Sequence, residues 1–292
     1  MTIPTIGGLP QKVSIISMPG SVDENTPATS YVQLLDEDGE PYGVKQASGK
    51  PQVSTMPYLY DIAEGEIATH APFRRFGVNL DVPISWETVT NQSLVQSYLT
   101  SAEQLKIVST DTDDDGAPAG AGAQTLMLKG LDGNYDVISE TVTLNGTTIV
   151  TTTKSFLRPL RASVVLAGAS GMNEGTITIK NNASAVTLLQ INAGNGQTNS
   201  AIWTVPAGNT GYIVSWNASE SSTKGAIIGM WLRPFGQSWR YFRSYVLLDG
   251  AFFHPFALPI PLQEKTDIEI RALAFSAGAI VSAGFDGWYE AN

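Results

Sequence analysis

The chain has 292 residues, no cysteine, 42% hydrophobic and 15% charged residues, and a formal net charge of -10. A chain of this length buries a large core without crosslinks, and its length favours two compact units. The missing cysteines exclude disulfides, thiolate metal sites and a cysteine nucleophile. The acidic balance argues against a surface that binds the phosphate backbone of a nucleic acid.

The composition predicts a soluble, all-β protein. The 28 glycines and 16 prolines, beside abundant Thr and Ser, suit short strands joined by tight turns. The opening residues MTIPTIGG have neither a charged n-region nor an apolar h-region, so they predict no secretory signal. No stretch approaches the roughly 18 apolar residues that cross a membrane as a helix. We therefore expect no membrane contact.

Residues 1–65 are the first of three expected segments and are predicted to form an extended N-terminal arm. They show no sustained apolar period and carry the acidic run at 36–40. Within that run, Asp38-Gly39 is a turn signal and predicts one small hairpin, between 31–35 and 42–44. A disordered leader is the alternative interpretation.

The apolar segment 57–62, with the sequence PYLYDI, favours the arm over the leader. Such side chains are poorly solvated unless something covers them. We therefore expect the arm to order against a neighbouring subunit, with Tyr58 and Tyr60 among the residues that bind the partner.

Residues 66–158 are expected to form a central β domain. Alternating apolar and polar residues at 105–109 and over 125–144 predict strands, with a turn at Asp132-Gly133. Asn145-Gly146 predicts a tight hairpin with 147–150, because a type I′ turn needs positive φ at both central residues. Three neighbouring antiparallel strands should result. The best candidate for a helix is 92–103.

Residues 159–292 are expected to form a C-terminal β-sandwich. Clusters of Gly, Pro, Asn and Ser punctuate this segment at short intervals. Strands at this spacing indicate two packed sheets with a jelly-roll-like topology. The ten expected strands lie near 161–167, 175–180, 185–192, 199–205, 210–216, 226–233, 240–247, 252–258, 266–274 and 279–288.

Several strings of residues are similar to those of a known group of proteins. They are STMPYLYDIAEG at 54–65, KGLDGNYD at 129–136, ETVTLNGTT at 140–148, TTKSFLR at 152–158 and EKTDI at 264–268. Together they resemble a group of virion structural proteins of tailed bacteriophages, common in marine and cyanobacterial phages. The likeness covers most of residues 50–290.

This resemblance implies a structural part of a virus particle, with no catalytic residue and no cofactor. The first expectation is a decoration or cement protein on the head, in contact with the major capsid protein or other virion subunits. A tail, neck or fibre component that binds host-surface glycan is the alternative. Repetition around a symmetric shell implies a homo-oligomer, and we expect a trimer. Such a protein joins the virion in the host bacterial cytoplasm.

An acidic loop is the candidate metal site. Asp111, Asp113 and Asp115 place oxygens at alternate positions before Gly116, as in the first half of a calcium loop. Position twelve of such a loop is Gly122, where a bidentate Glu is required. We therefore interpret the segment as a plain acidic loop and expect no metal, with calcium as the alternative.

The sequence offers no recognisable nucleophile or histidine constellation. His70 and His254 lie in no metal-ligand pattern, and we expect both to be packed or interfacial. Ser221 and Lys224 fit the Ser-x-x-Lys spacing, but the surrounding residues do not predict the helix that presents such a serine. An enzyme is therefore not expected.

Paired carboxylates are the remaining route to catalysis, as in a glycoside hydrolase on a sandwich fold. Glu140, Asp267 and Glu269 are the acidic residues in strand patterns. Since one face of an alternating strand meets solvent, we expect these three side chains to be solvent-facing.

Aromatic and basic residues concentrate towards the C-terminal end. We expect the tryptophans there in the core and interfaces, with an exposed sugar-binding row as the alternative. Arg233, Arg240 and Arg243 form the densest positive cluster, and Arg74 with Arg75 is a second one. We expect these arginines to anchor an acidic partner surface, with cation–π contacts inside the fold as the alternative.

Overall fold

A computed structural model describes residues 44–47, 50–53 and 58–292, and these residues contain eighteen strands and one helix. The expected all-β class is confirmed. The chain divides into two compact units, Met1–Glu66 and Ile67–Asn292. In the described part of the chain, no helix is long and apolar enough to cross a membrane.

The first unit contains a short hairpin and the helix. Strand β1 (Val44–Ala47) pairs antiparallel with β2 (Lys50–Val53), and helix α1 (Tyr58–Glu64) follows. The helix occupies the apolar segment that we expected to extend towards a partner, and its apolar Leu59 and Ile62 are three residues apart, as on one helical face. The hairpin predicted around Asp38-Gly39 lies outside the described residues.

The second unit contains four antiparallel sheets. Their strand orders are β16-β13-β18-β3, β12-β17-β14-β15 with β4 also on β17, β11-β10-β5-β8, and β7-β6-β9. The strands are β3 (His70–Val82), β4 (Glu87–Thr88), β5 (Lys106–Ser109), β6 (Ala123–Leu131), β7 (Val137–Thr143), β8 (Val150–Thr151), β9 (Arg158–Ala167), β10 (Ile177–Lys180), β11 (Thr187–Ile191), β12 (Ile202–Thr204), β13 (Asn209–Glu220), β14 (Ala226–Arg233), β15 (Arg240–Leu247), β16 (Gly250–Leu262), β17 (Asp267–Ala274) and β18 (Ala279–Ala291). All ten strands expected after residue 159 are present.

The first two sheets form a jelly-roll sandwich. If the strands are lettered B to I in chain order, with β4 and β12 together as strand C, the two sheets read B-I-D-G and C-H-E-F, the jelly-roll order. Buried residues from both sheets share one core, among them Trp216, Phe285, Ile228 and Ile270. Alternation along β13 and β14 places these apolar side chains inward.

The other two sheets form a second sandwich, inserted between β4 and β12. Their shared core includes Ile107, Leu126, Leu128 and Ile177, all fully buried. The ends of the insertion lie side by side, because the Ala201 amide donates to the Val89 carbonyl at 3.0 Å.

Strands pair across the domain boundary that we expected at residue 158. Strand β9, which follows that boundary, pairs with β6, and β3, which precedes it, pairs with β18. The cause is the insertion: it divides strand C of the jelly roll, so the strands of one sandwich come from both sides of the other in sequence.

Two local predictions are wrong. Residues 92–103 contain no helix. Hydrogen bonds to other segments hold these residues instead: the Gln96 backbone amide donates to Thr88 Oγ1, and the Gln96 side chain donates to the Leu188 carbonyl. The Asn145-Gly146 hairpin is also absent: Gly146 turns the chain with φ of 52°, but β8 then pairs with β5. The turn after Asp132 does join two paired strands, β6 and β7.

Candidate functional site

A buried ionic cluster, made of Arg158, Thr204, Arg233 and Asp267, joins the two sandwiches. Asp267 Oδ1 accepts hydrogen bonds from Arg158 Nε at 2.9 Å and from Thr204 Oγ1 at 2.6 Å, and Oδ2 accepts from Arg233 Nη2 at 2.6 Å. Arg158 belongs to the inserted sandwich, whereas the other three belong to the jelly roll. Arg233, expected to anchor a partner, is therefore engaged inside the fold.

Tyr98 and Glu269 extend this cluster. The Arg233 guanidinium lies 4.5 Å from the centre of the Tyr98 ring, and the Tyr98 hydroxyl donates to Glu269 Oε2 at 3.4 Å. Burial raises the pKa of Tyr98 well above its usual value and raises that of Glu269 despite the Arg271 guanidinium beside it. The expectation that Asp267 and Glu269 face solvent is wrong, since 3% and 0% of them are exposed.

Exposed apolar side chains occur along two end strands of the jelly roll. Strands β15 and β16 are each the last strand of their sheet in the described part of the chain, and they follow one another in sequence. The apolar rim is defined as exposed apolar residues of these strands and the turn between them: Phe242 and Val246 of β15, Leu248 of the turn, and Phe253 and Leu258 of β16. Phe253 is 66% exposed and Leu258 83% exposed. Covering either side chain would remove much apolar surface from water.

His254 connects the two end strands. Arg243 Nη1 lies 2.8 Å from His254 Nε2, which must accept because a guanidinium only donates. The Tyr245 hydroxyl lies 2.8 Å from the other ring nitrogen. Arg243 is thus engaged within the fold, whereas Arg240, beside Gln237, is exposed. His254 is packed, as expected.

Arg74 and Arg75 line a cleft of about 390 Å³ beside strand β3, here called the arginine cleft. Across it lie Arg161 of β9 and the segment 197–200, which leads into β12. The β3 backbone meets this segment where the Val78 amide donates to the Asn199 carbonyl at 3.3 Å. Sequence reasoning missed Arg161, because nothing local to β9 indicates that it meets β3.

The Arg75 side chain has no hydrogen-bond or ion-pair partner among the described residues. Its Nε is enclosed and unpartnered, as is the hydroxyl of Ser200, which also lines the cleft. Burial, followed by the charge of Arg161, lowers the pKa of Arg75 to about 10. Of the five arginines expected to bind a partner, Arg75 is half-buried, while Arg74 and Arg240 are exposed.

The acidic loop is organised by a residue outside the predicted metal set. Asp114 is fully buried, and its carboxylate accepts from the Ser109 hydroxyl and from the amides of Ala123 and Gly175. Asp111 and Asp115 instead accept from backbone amides within the loop, and Asp113 is exposed. No cluster of three metal-ligating side chains occurs among the residues that the structure describes.

The aromatic residues divide between core and surface. Trp203, Trp216 and Trp288 are buried, and Trp231 and Trp239 are half-buried with arginines over their rings. The expectation of core positions is confirmed for the first three. In helix α1, Tyr60 is 57% exposed, and Tyr58 begins the helix.

Two viral structures align with the chain. They are those of infectious bursal disease virus, Gt and Gx strains, with 13% and 10% identity over 76% of this chain and 75% and 77% of theirs, each at a TM-score of 0.18. At that TM-score the likeness carries no argument. No family model and no curated protein matches the chain.

Proposed function

We propose that the chain is a structural subunit of a virus particle, and specifically a decoration protein that stabilises the head of a tailed bacteriophage. The observation that carries the proposal is the apolar rim on the two end strands of the jelly roll. Jelly rolls serve as shell subunits in viral capsids, and also as lectins. The resemblance of residues 50–290 to phage virion proteins favours the first role.

The rim is suited to contact through side chains rather than through strand addition. End strands invite pairing with another chain, but Pro255, Pro259 and Pro261 remove N–H donors along β16. Large apolar side chains left this exposed are often covered by a protein partner. Strand β16 therefore offers apolar surface but few backbone N–H groups for pairing with another strand.

A second copy of the chain is the occupant that the charges favour. Arg240 is exposed on β15, close in sequence to the rim, while the chain as a whole has a net charge of -10. A second copy thus offers the carboxylates that Arg240 can pair with. The proposed assembly is a homo-oligomer, for which we retain the trimer, that then contacts the capsid shell.

Self-association is tested by replacing two rim residues together, Phe253→Ser and Leu258→Ser. Analytical ultracentrifugation should find an oligomer for the parent chain and a monomer for the double variant, because the variant loses the apolar area that covering would remove from water. Ile84→Ser is the matched control, since Ile84 is 68% exposed outside the rim. A parent chain that stays monomeric at high concentration contradicts the oligomer.

Head decoration is tested by mixing the protein with expanded, undecorated phage heads and pelleting them. The parent chain should pellet with the heads in a saturable manner, and the double rim variant should pellet less, because repeated weak contacts act together only in the assembled form. Failure to pellet, together with specific signals on a glycan array, would favour the tail or fibre alternative.

A further inference from the structure

The arginine cleft concentrates positive charge in an acidic protein. Arg74, Arg75 and Arg161 line it, against one carboxylate, Asp286. That carboxylate lies opposite Arg74 in the pairing of β3 with β18 and accepts a hydrogen bond from the Ser215 hydroxyl at 3.4 Å, so the arginines of the cleft still outnumber it. No ion pair within the described residues neutralises Arg75 or Arg161.

Several hydrogen-bond donors in the cleft have no acceptor among the described residues. The enclosed Nε of Arg75 and the Ser200 hydroxyl lack partners, and the terminal nitrogens of Arg75 make no hydrogen bond to any described group. Arg161 Nη2 donates to the Gln197 side chain. The other side-chain N–H groups of Arg161 remain available to an acceptor in the cleft. Unpaired donors of this kind, held beside a like charge, are costly unless an acceptor satisfies them.

We propose that the arginine cleft binds an oxyanion, which accepts hydrogen bonds from Arg75, Arg161 and Ser200. Planar guanidinium groups match the oxygen spacing of phosphate, sulfate and carboxylate groups and bind them in a bidentate manner. A bound oxyanion also separates two arginines that otherwise repel each other. This inference is independent of the proposed function.

The position of the cleft gives the oxyanion a structural role. Arg75 lies on β3 of the jelly roll, whereas Arg161 lies on β9 of the inserted sandwich. An ion held by both arginines links the two sandwiches at a second place, apart from the Asp267 cluster. Because it binds only the folded chain, it raises the unfolding temperature with concentration.

The test is calorimetric titration of the full chain with sodium phosphate, sodium sulfate and sodium acetate, beside melting curves at matched ionic strength in sodium chloride. We expect saturable binding and a rise in melting temperature with at least one oxyanion but not with chloride. Binding of phosphate or sulfate but not acetate indicates that the cleft takes a free tetrahedral ion. Binding of acetate as well indicates that a carboxylate of a neighbouring chain can fill the cleft.

Two variants assign the binding to the cleft. Arg161→Gln should weaken binding about tenfold or more, since it removes charge-assisted hydrogen bonds. Ser200→Ala, which keeps all three arginines, should weaken it less, while Arg240→Gln, an exposed arginine outside the cleft, should change nothing. Circular dichroism verifies that each variant is folded. Equal responses to oxyanions and chloride, or undiminished affinity in both cleft variants, would overturn the proposal.

Discussion

At the scale of single residues, Asp267 shows how a residue in an alternating strand pattern becomes internal. The pattern Asp-Ile-Glu-Ile at 267–270 predicts one polar and one apolar face. Strand β17, however, lies between β14 and β12, and its polar face is covered by Tyr98 and by arginines from other strands. Burial of both faces depends on residues distant in sequence, so one strand pattern does not reveal it.

Asp267→Asn tests the Asp267 cluster. The amide keeps one acceptor oxygen but removes the charge that Arg158 and Arg233 share, so one buried and one half-buried guanidinium group lose their counter-ion. Removing one member of a buried ion pair costs about 3–5 kcal/mol. Urea denaturation at neutral pH measures the loss. Asp113→Asn is the control and should change stability little, because Asp113 is exposed and its carboxylate accepts no hydrogen bond from the described residues.

At the scale of strands and turns, the sequence predicted where strands lie better than which strands pair. Clusters of turn residues located all ten strands after residue 159, because Gly, Pro and Asn break strands locally. Partner choice was missed where it is long-range: β8 pairs with β5 across 42 intervening residues or more, not with its neighbour β7. For the same reason Arg161 was missed, since its role depends on β9 and β3 lining one cleft.

Glu220, at the end of β13, accepts hydrogen bonds from two turns. Its Oε1 accepts from the Ser222 amide at 2.8 Å, and its Oε2 accepts from the Asp249 amide at 2.9 Å, in the turn between β15 and β16. Burial opposes its ionisation, but hydrogen bonds from Ser222, Asp249 and Gly225 outweigh burial and lower the pKa of Glu220. The charged carboxylate therefore holds both turns.

Glu220→Gln should lower stability in a pH-dependent way. Since the folded-state pKa is below the unfolded value of 4.5, the charge stabilises the fold above that pH, and the contribution disappears as pH falls through the folded pKa. We expect a loss of about 1–2 kcal/mol near neutral pH, and less difference from the parent chain in acid. Chemical denaturation at several pH values measures it.

Glu174→Gln is the matched control for this pH dependence, because Glu174 is exposed and its amide, not its carboxylate, makes the hydrogen bond to Asp114. It should leave stability unchanged across the same range. A loss for Glu220→Gln that is as large in acid as at neutral pH would show that shape, not charge, holds the turns.

At the scale of the whole molecule, one sandwich interrupts a strand of the other. The core of the inserted sandwich is drawn from residues 105–191, with Ile202 as the exception. The insertion enters and leaves through paired backbone, where Thr90 bridges Ser200. Adjacent ends and a largely separate core allow one domain to be inserted into another, although Leu131, Tyr135, Leu157 and Leu160 of the insertion pack in the jelly-roll core.

The fragment 90–200 should therefore fold without the jelly roll. We expect dispersed amide signals in NMR spectra and a cooperative urea transition, because nearly all of the fragment's core is retained. Its stability should be below that of the same sandwich in the full chain, since Arg158 loses Asp267. Leu131, Tyr135, Leu157 and Leu160 also lose their jelly-roll neighbours. Leu128→Ala in the fragment, which opens a cavity at a fully buried position, should cost a further 2–5 kcal/mol or so. Collapsed signals without a transition would mean that the inserted sandwich needs the contact at Arg158 to fold at all.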